Sequence, residues 1–153
     1  MIRTVLVATD GSDAAEVAVR TAVDLTLSLG PDARLHVAGV IHYAGVPEVL
    51  AKQPAGAPNL LGDEIGHALE TATAIARAAG VPFEVHRVEG EVVESILACA
   101  EEVKADILVA GALGRSRLAR LVLGSITEKL VRSTNLPVVV VHRDNSPEAV
   151  EAS

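Results

Sequence analysis

Five short β-forming runs, separated by stretches of helical periodicity, constrain this chain more than any other feature of its sequence. The runs are Thr4 to Thr9 (TVLVAT), Arg34 to Val40, Phe83 to Val88, Ile107 to Ala110 (ILVA) and Val138 to Val141 (VVVV). ILVA shows no polar alternation, which is the pattern of a strand buried on both faces of a parallel sheet. Parallel strands need long crossovers, and the intervening stretches supply them. The order β-α-β-α-β-α-β-α-β predicts a doubly wound α/β sheet with helices on both faces. Ligands of such sheets bind beyond the carboxyl ends of the strands, at the switch point. That rule selects Thr9-Asp10-Gly11, Val40-Ile41-His42 and the segment from Gly111 onward.

The crossovers read as follows. Asp13 with Glu16 has capping-box spacing and opens a first helix, with Ala18, Ala22, Leu25 and Leu29 as its stripe and Gly30-Pro31 as its stop. Ala44 to Gly62 holds three Pro and three Gly and reads as a long loop. Ile65, Ala68, Leu69, Ala72, Ile75, Ala76 and Ala79 stripe a second helix that stops at Gly80 and Pro82. Val93, Ile96, Leu97, Ala100 and Val103 stripe a third. Ser125 with Glu128 repeats the capping-box spacing and opens a fourth. Residues 1–143 form one domain, and 144–153 read as a polar tail.

Composition removes several function classes. The chain has 153 residues, 50% of them apolar and 22% charged, a soluble globular balance for a single core. Its net charge of -7 argues against nucleic acid as a partner. With no Trp, one Tyr and one Phe, it also lacks an aromatic platform for single-stranded bases. No run approaches the roughly 18 apolar residues of a membrane span. The apolar start ends too soon for a signal peptide. The single cysteine, Cys99, reads as a helix-packing residue and fits a reducing compartment. Together these features lead to the expectation of a cytoplasmic protein. His36, His42, His67, His86 and His142 are scattered without metal-ligand spacing and read as structural, with His42 nearest the expected ligand edge.

The segment Gly111-Ala-Leu-Gly114-Arg115-Ser-Arg117-Leu-Ala-Arg120-Leu-Val-Leu-Gly124-Ser125-Ile126-Thr127-Glu128 carries the chemistry. Glycines allow close backbone approach to an anion, and a helix start offers free N–H groups. From Ile107 to Thr127 the chain holds Arg115, Arg117 and Arg120 and no acid, a local positive pole in an acidic protein. The segment is neither a Walker A loop nor G-x-G-x-x-G. Glycine spacing alone leaves two readings open: a phosphate nest, or a strand-to-helix turn with Ser125 as a simple cap. Asp10 likewise either caps the Gly11-Ser12 turn or faces a ligand.

Gly111-x2-Gly114-x9-Gly124-Ser125 resembles the G-x2-G-x9-G-(S/T) signature of ATP-binding universal stress proteins. Val5 to Val19 looks like that family's first strand, acidic turn and helix, and Leu136 to Val141 like its last strand. The resemblance spans about Thr4 to His142. It implies an adenine nucleotide alpha hydrolase-like fold with a five-stranded parallel sheet in the order 3-2-1-4-5. It implies that Asp10 faces the ribose or a phosphate-bound Mg²⁺, with Ala8 and Thr9 on the same edge. By the same resemblance Val40 binds adenine through its backbone, and Gly111, Gly114, Arg115, Gly124, Ser125, Ile126 and Thr127 surround ribose and phosphates. Arg117 stands where the family usually has a small Gly, and it either reaches a phosphate or crowds the loop. Leu113 replaces a more often polar residue.

The implied protein is a nucleotide-dependent stress-response regulator that binds ATP (or ADP/AMP), with an unidentified regulatory partner. It implies a homodimer through Val138, Val139, Val140 and Val141. No general base for hydrolysis is evident, so turnover is expected to be slow at most. The alternatives are a slow ATPase, or a partner-binding module whose pocket is empty or takes cyclic AMP.

Overall fold

All five expected strands form, and all of them pair in parallel. A computed structural model of the chain describes residues 1–41, 60–112 and 124–142. The strands are β1 (Thr4–Thr9), β2 (Arg34–Ile41), β3 (Phe83–Glu89), β4 (Ile107–Gly111) and β5 (Val138–Val141). They lie in the order β3-β2-β1-β4-β5. The helices are α1 (Asp13–Leu29), α2 (Leu60–Ala79), α3 (Val92–Glu102) and α4 (Ser125–Ser133).

Register follows the pleat. Val5 pairs with Leu35 on one side and Ile107 on the other, and Val7 with Val37 and Val109. These residues face α1 and α2, and pack with Ala18, Val19, Ala22, Val23, Ile65 and Leu69. Leu6, Ala38, Leu108 and Ala110 point the opposite way and pack with Val93, Ile96, Cys99, Ala100 and Leu130 of α3 and α4. The two-residue period thus sorts each strand into two cores, one per face. Cys99 is buried in the second core, and burial, then the charge of Glu102, pushes its thiol above the usual value.

Several sequence expectations shift. The α1 cap is Ser12, not Asp13: its Oγ accepts the Ala15 N–H at 3.2 Å. Asp13 is the first helical residue. The α4 cap is Gly124, with no side-chain bond, so Ser125 is not a cap either. In both helices, the residue before the expected box adopts the non-helical backbone. Leu60, Leu61 and Gly62, read as the end of a loop, belong to α2. In α1 the fully buried stripe runs through Ala18 and Ala22 to Thr26, while Leu25 and Leu29 flank it. The expected tail, 144–153, lies outside the described residues. Among the described residues, no helix is long and apolar enough to cross a membrane.

Gly39 and Asp106 fix the packing at two points. A Cβ on Gly39 would come within 2.8 Å of Ile65 Cγ2, so only glycine lets α2 rest on β2 this closely. Asp106 Oδ2 accepts the backbone N–H groups of Arg3 and Thr4, each at 2.9 Å, and thereby anchors the start of β1 beside β4. Those two bonds hold its carboxyl below the usual aspartate range. A depressed pKa adds stability above the unfolded value and loses it as pH falls through the folded value. Asp106→Ala is therefore expected to cost about 1 kcal/mol at pH 7, the worth of an exposed charge-assisted pair of bonds. In urea unfolding, the gap to wild type closes as the pH is taken below the ordinary aspartate range. A gap that persists undiminished in acid would refute this role.

Candidate functional site

The β1–α1 turn is built by three consecutive side-chain-to-backbone bonds. Thr9 Oγ1 accepts the Gly11 N–H at 3.3 Å, Asp10 Oδ1 accepts the Ser12 N–H at 2.9 Å, and Ser12 Oγ caps the helix. Gly11 has φ +82°, a left-handed conformation that glycine adopts without strain. The Asp10 carboxylate is thus an Asx turn that uses one oxygen. Among the described residues, the other oxygen has no protein partner.

Across the strand ends lies α4. Thr127 is buried, and its hydroxyl donates to the Gly111 carbonyl at 2.7 Å. Gly124 N–H donates to the Ala112 carbonyl, and Ala112 N–H donates to the Val141 carbonyl at 2.8 Å. These bonds hold the start of α4 against the ends of β4 and β5. The helix begins without a side-chain cap, and Ser125 is exposed. Among the described residues, no side chain caps its first-turn N–H groups at the positive end of the helix dipole.

Between the turn and α4 is a cavity of about 390 Å³ at the carboxyl ends of β1, β2 and β4. Ala38, Val40, Ile41, Ile65, Val92, Ile96 and Leu130 supply apolar walls. Thr9, Asp10, Ser12, Glu64, Ser125 and Thr127 supply the polar groups. The size and the few polar groups among apolar walls are those of a small-ligand site. A second hollow of about 350 Å³ lies on the other side of the turn, between α1 and α2. Asp10, Glu16 and Glu64 line it with His67, a setting unfavourable to an anion.

The first cavity brings together Ala8, Thr9, Asp10, Val40, Gly111, Gly124, Ser125, Ile126 and Thr127 from the expected site. Gly114, Arg115 and Arg117 lie outside the described residues, as does His42. Two of the assembled residues have a packing duty. A Cβ on Gly111 would sit 2.9 Å from the carbonyl carbon and oxygen of Ala14, so α1 requires this glycine. Thr127 spends its hydroxyl proton on Gly111. Sequence reasoning missed Ser12, Ala15, Ala38, Glu64 and Val92. It placed Ile65 and Ile96 on core stripes, because helical periodicity marks an inward face without distinguishing core from cavity wall.

Comparison with known proteins agrees with this architecture. A family model described as the universal stress protein family matches residues 1–142. The universal stress protein Rv1636 of Mycobacterium tuberculosis is 33% identical over 150 residues, covering 92% of this chain and 96% of that protein. Among solved structures, a universal stress protein in complex with cAMP aligns with a TM-score of 0.70 and 30% identity, over 94% of this chain and 98% of that one. The protein MJ0577 of Methanocaldococcus jannaschii aligns with a TM-score of 0.79 and 28% identity, over 95% and 99% of the two chains.

Gly111→Ala separates packing from ligand binding. The added methyl meets the Ala14 backbone, which cannot swing aside as a side chain can. We expect a loss of roughly 1–3 kcal/mol in urea unfolding of the ligand-free protein, the usual scale of overpacking. Unchanged stability would show that α1 does not need this glycine.

Proposed function

The chain belongs to the universal stress protein family, and we propose that it binds an adenine nucleotide in the switch-point cavity and acts as an ATP-dependent regulator in homodimeric form. The observation that carries this reading is the cavity's division of labour: an uncapped helix N-terminus and a strand-end carboxylate on its rim, aliphatic side chains on its walls. The α4 N-terminus and Ser125 suit phosphate oxygens. Val40, Ile41 and Ile96 suit the faces of a purine. By the family resemblance Gly114 and Arg115 complete the phosphate side, and Arg117, which stands where the family usually has Gly, either reaches a phosphate or crowds the loop.

The donor set fits a Mg²⁺ ion brought in with the phosphates. Such ions take one or two protein carboxylates and otherwise phosphate oxygens and water, and the second oxygen of Asp10 supplies one such ligand. Bound there, the ion offsets phosphate charge. Asp10 and Glu64 are the titratable groups among the described lining residues, and Asp10 is committed to the turn and the ion. With Asp10 so engaged, the reading is a regulator with at most slow hydrolysis. Filling the pocket would act by favouring the conformer that binds it better, and with it one partner affinity.

The two sheet edges support the homodimer. The β3 edge exposes Glu84, Arg87 and Glu89, charges that discourage strand addition. The β5 edge carries four half-exposed valines and no charge. Pairing of β5 with its own copy across a two-fold axis covers that edge.

A second reading, cAMP as the ligand, is favoured by the cAMP complex of the similar solved structure. Asp10→Asn distinguishes the two, because it keeps an acceptor for Ser12 while removing the charge that an ion needs. By isothermal titration, we expect Mg-ATP affinity to fall about tenfold in this variant, the worth of one charge-assisted contact. A cyclic phosphate needs no ion, so cAMP affinity should not change. Failure of both nucleotides to bind the wild type, with no nucleotide released from fresh protein, would refute the reading. For the dimer, Val140→Asp is the better probe, because Val139 also packs against the core. Light scattering should then report a monomer, and an unchanged mass would refute the β5 interface.

A further inference from the structure

The geometry points to a transition-metal site on the β2–β3 edge of the sheet, formed by His36, Glu84 and His86 and suited to a divalent ion of the zinc class. None of the three residues lines the cavity at the carboxyl ends of the strands. In the β2–β3 register, His36 stands beside Glu84, and His86 beside Ala38, so the three side chains share one face. His36 Nδ1 and His86 Nε2 are 2.9 Å apart, and the rings stack at 5.1 Å between centroids with 27° between their planes. Glu84 Oε2 is 3.5 Å from His36 Nδ1. One ligand atom from each residue lies within 4.8 Å of the other two. Among the described residues, no other trio of His, Cys, Asp or Glu converges in this way.

These separations fit tetrahedral coordination. Ligand bonds of about 2.0–2.2 Å place neighbouring ligand atoms roughly 3.3–3.6 Å apart. The observed 2.9 Å falls short of that range and 3.5 Å lies inside it, so seating an ion calls for a small parting of the two imidazoles. Two imidazoles and one carboxylate form a donor set that suits zinc, cobalt and nickel better than magnesium. His36 is only 8% exposed, which fixes its ring, while the Glu84 side chain is 72% exposed and leaves a coordination position open to water. Burial, then the neighbouring His86, holds His36 below its usual pKa, the direction that favours the neutral ring that ligation requires. Without an ion, two ring nitrogens at this distance must share a single proton. An ion here would tie the edge strand β3 to β2.

The test is titration of the metal-free, nucleotide-free full chain with Co²⁺, followed in the visible spectrum, and then displacement by Zn²⁺. We expect one ion per chain with the strong absorption of tetrahedral cobalt. Both His86→Gln and Glu84→Gln should weaken binding at least tenfold, since even indirect partners of a metal cost about 10–100-fold when lost. Zn²⁺ should raise the wild-type melting temperature and leave that of His86→Gln unmoved. Absence of tetrahedral absorption, or equal affinity in wild type and both variants, would overturn the site and leave a histidine–histidine hydrogen bond. If His86→Gln does not fold, the exposed Glu84→Gln variant decides alone.

Discussion

The reversal of strand order at β1 is the constraint on which the rest of this structure depends. β1 pairs with β2 on one side and with β4 on the other. Right-handed crossovers that lead from β1 outward to β2 and β3 must run over one face, and those that lead to β4 and β5 over the other. Hence α1 and α2 cover one face, and α3 and α4 the opposite one. Where the connections part, the carboxyl ends of β1 and β4 are left with no helix between them. The cavity is that gap, and its position follows from topology before any side chain is considered.

Side chains then give the gap its polarity. On the β1 side, Asp10 closes its own turn and keeps an oxygen at the rim. On the β4 side, α4 starts on a glycine that has no side chain with which to cap it. Local stability would favour a side chain that caps the helix there, by roughly a few tenths of a kcal/mol over glycine. Thr127 offsets this by fastening the same turn to Gly111, which frees the helix end without loosening it.

The sheet and most of the cavity were legible in the sequence, because strand runs and crossover lengths are local signals. The caps were not, since capping-box spacing recurs one residue away from the true caps at Ser12 and Gly124. The reason for two glycines was also hidden. Gly39 and Gly111 are needed for contacts with Ile65 and Ala14, far away in sequence. The histidines mark the clearest limit. His36 and His86 are 50 residues apart, and spacing along the chain gave no reason to join them. Only the β2–β3 register brings them to one face.

The glycine signature therefore does two jobs at once, and its bonds reach beyond the cavity. Gly111 holds α1, and through its carbonyl it holds Thr127. Gly124 bonds Ala112, and Ala112 bonds Val141, the last residue of β5. The rim of the cavity and the end of the edge strand are thus joined by two consecutive backbone hydrogen bonds. An anion seated on α4 and a partner strand laid along β5 would pull on the same short segment. A ligand can change assembly only by binding its alternative states unequally. In this fold, the segment on which such a difference can act is the one that carries the signature.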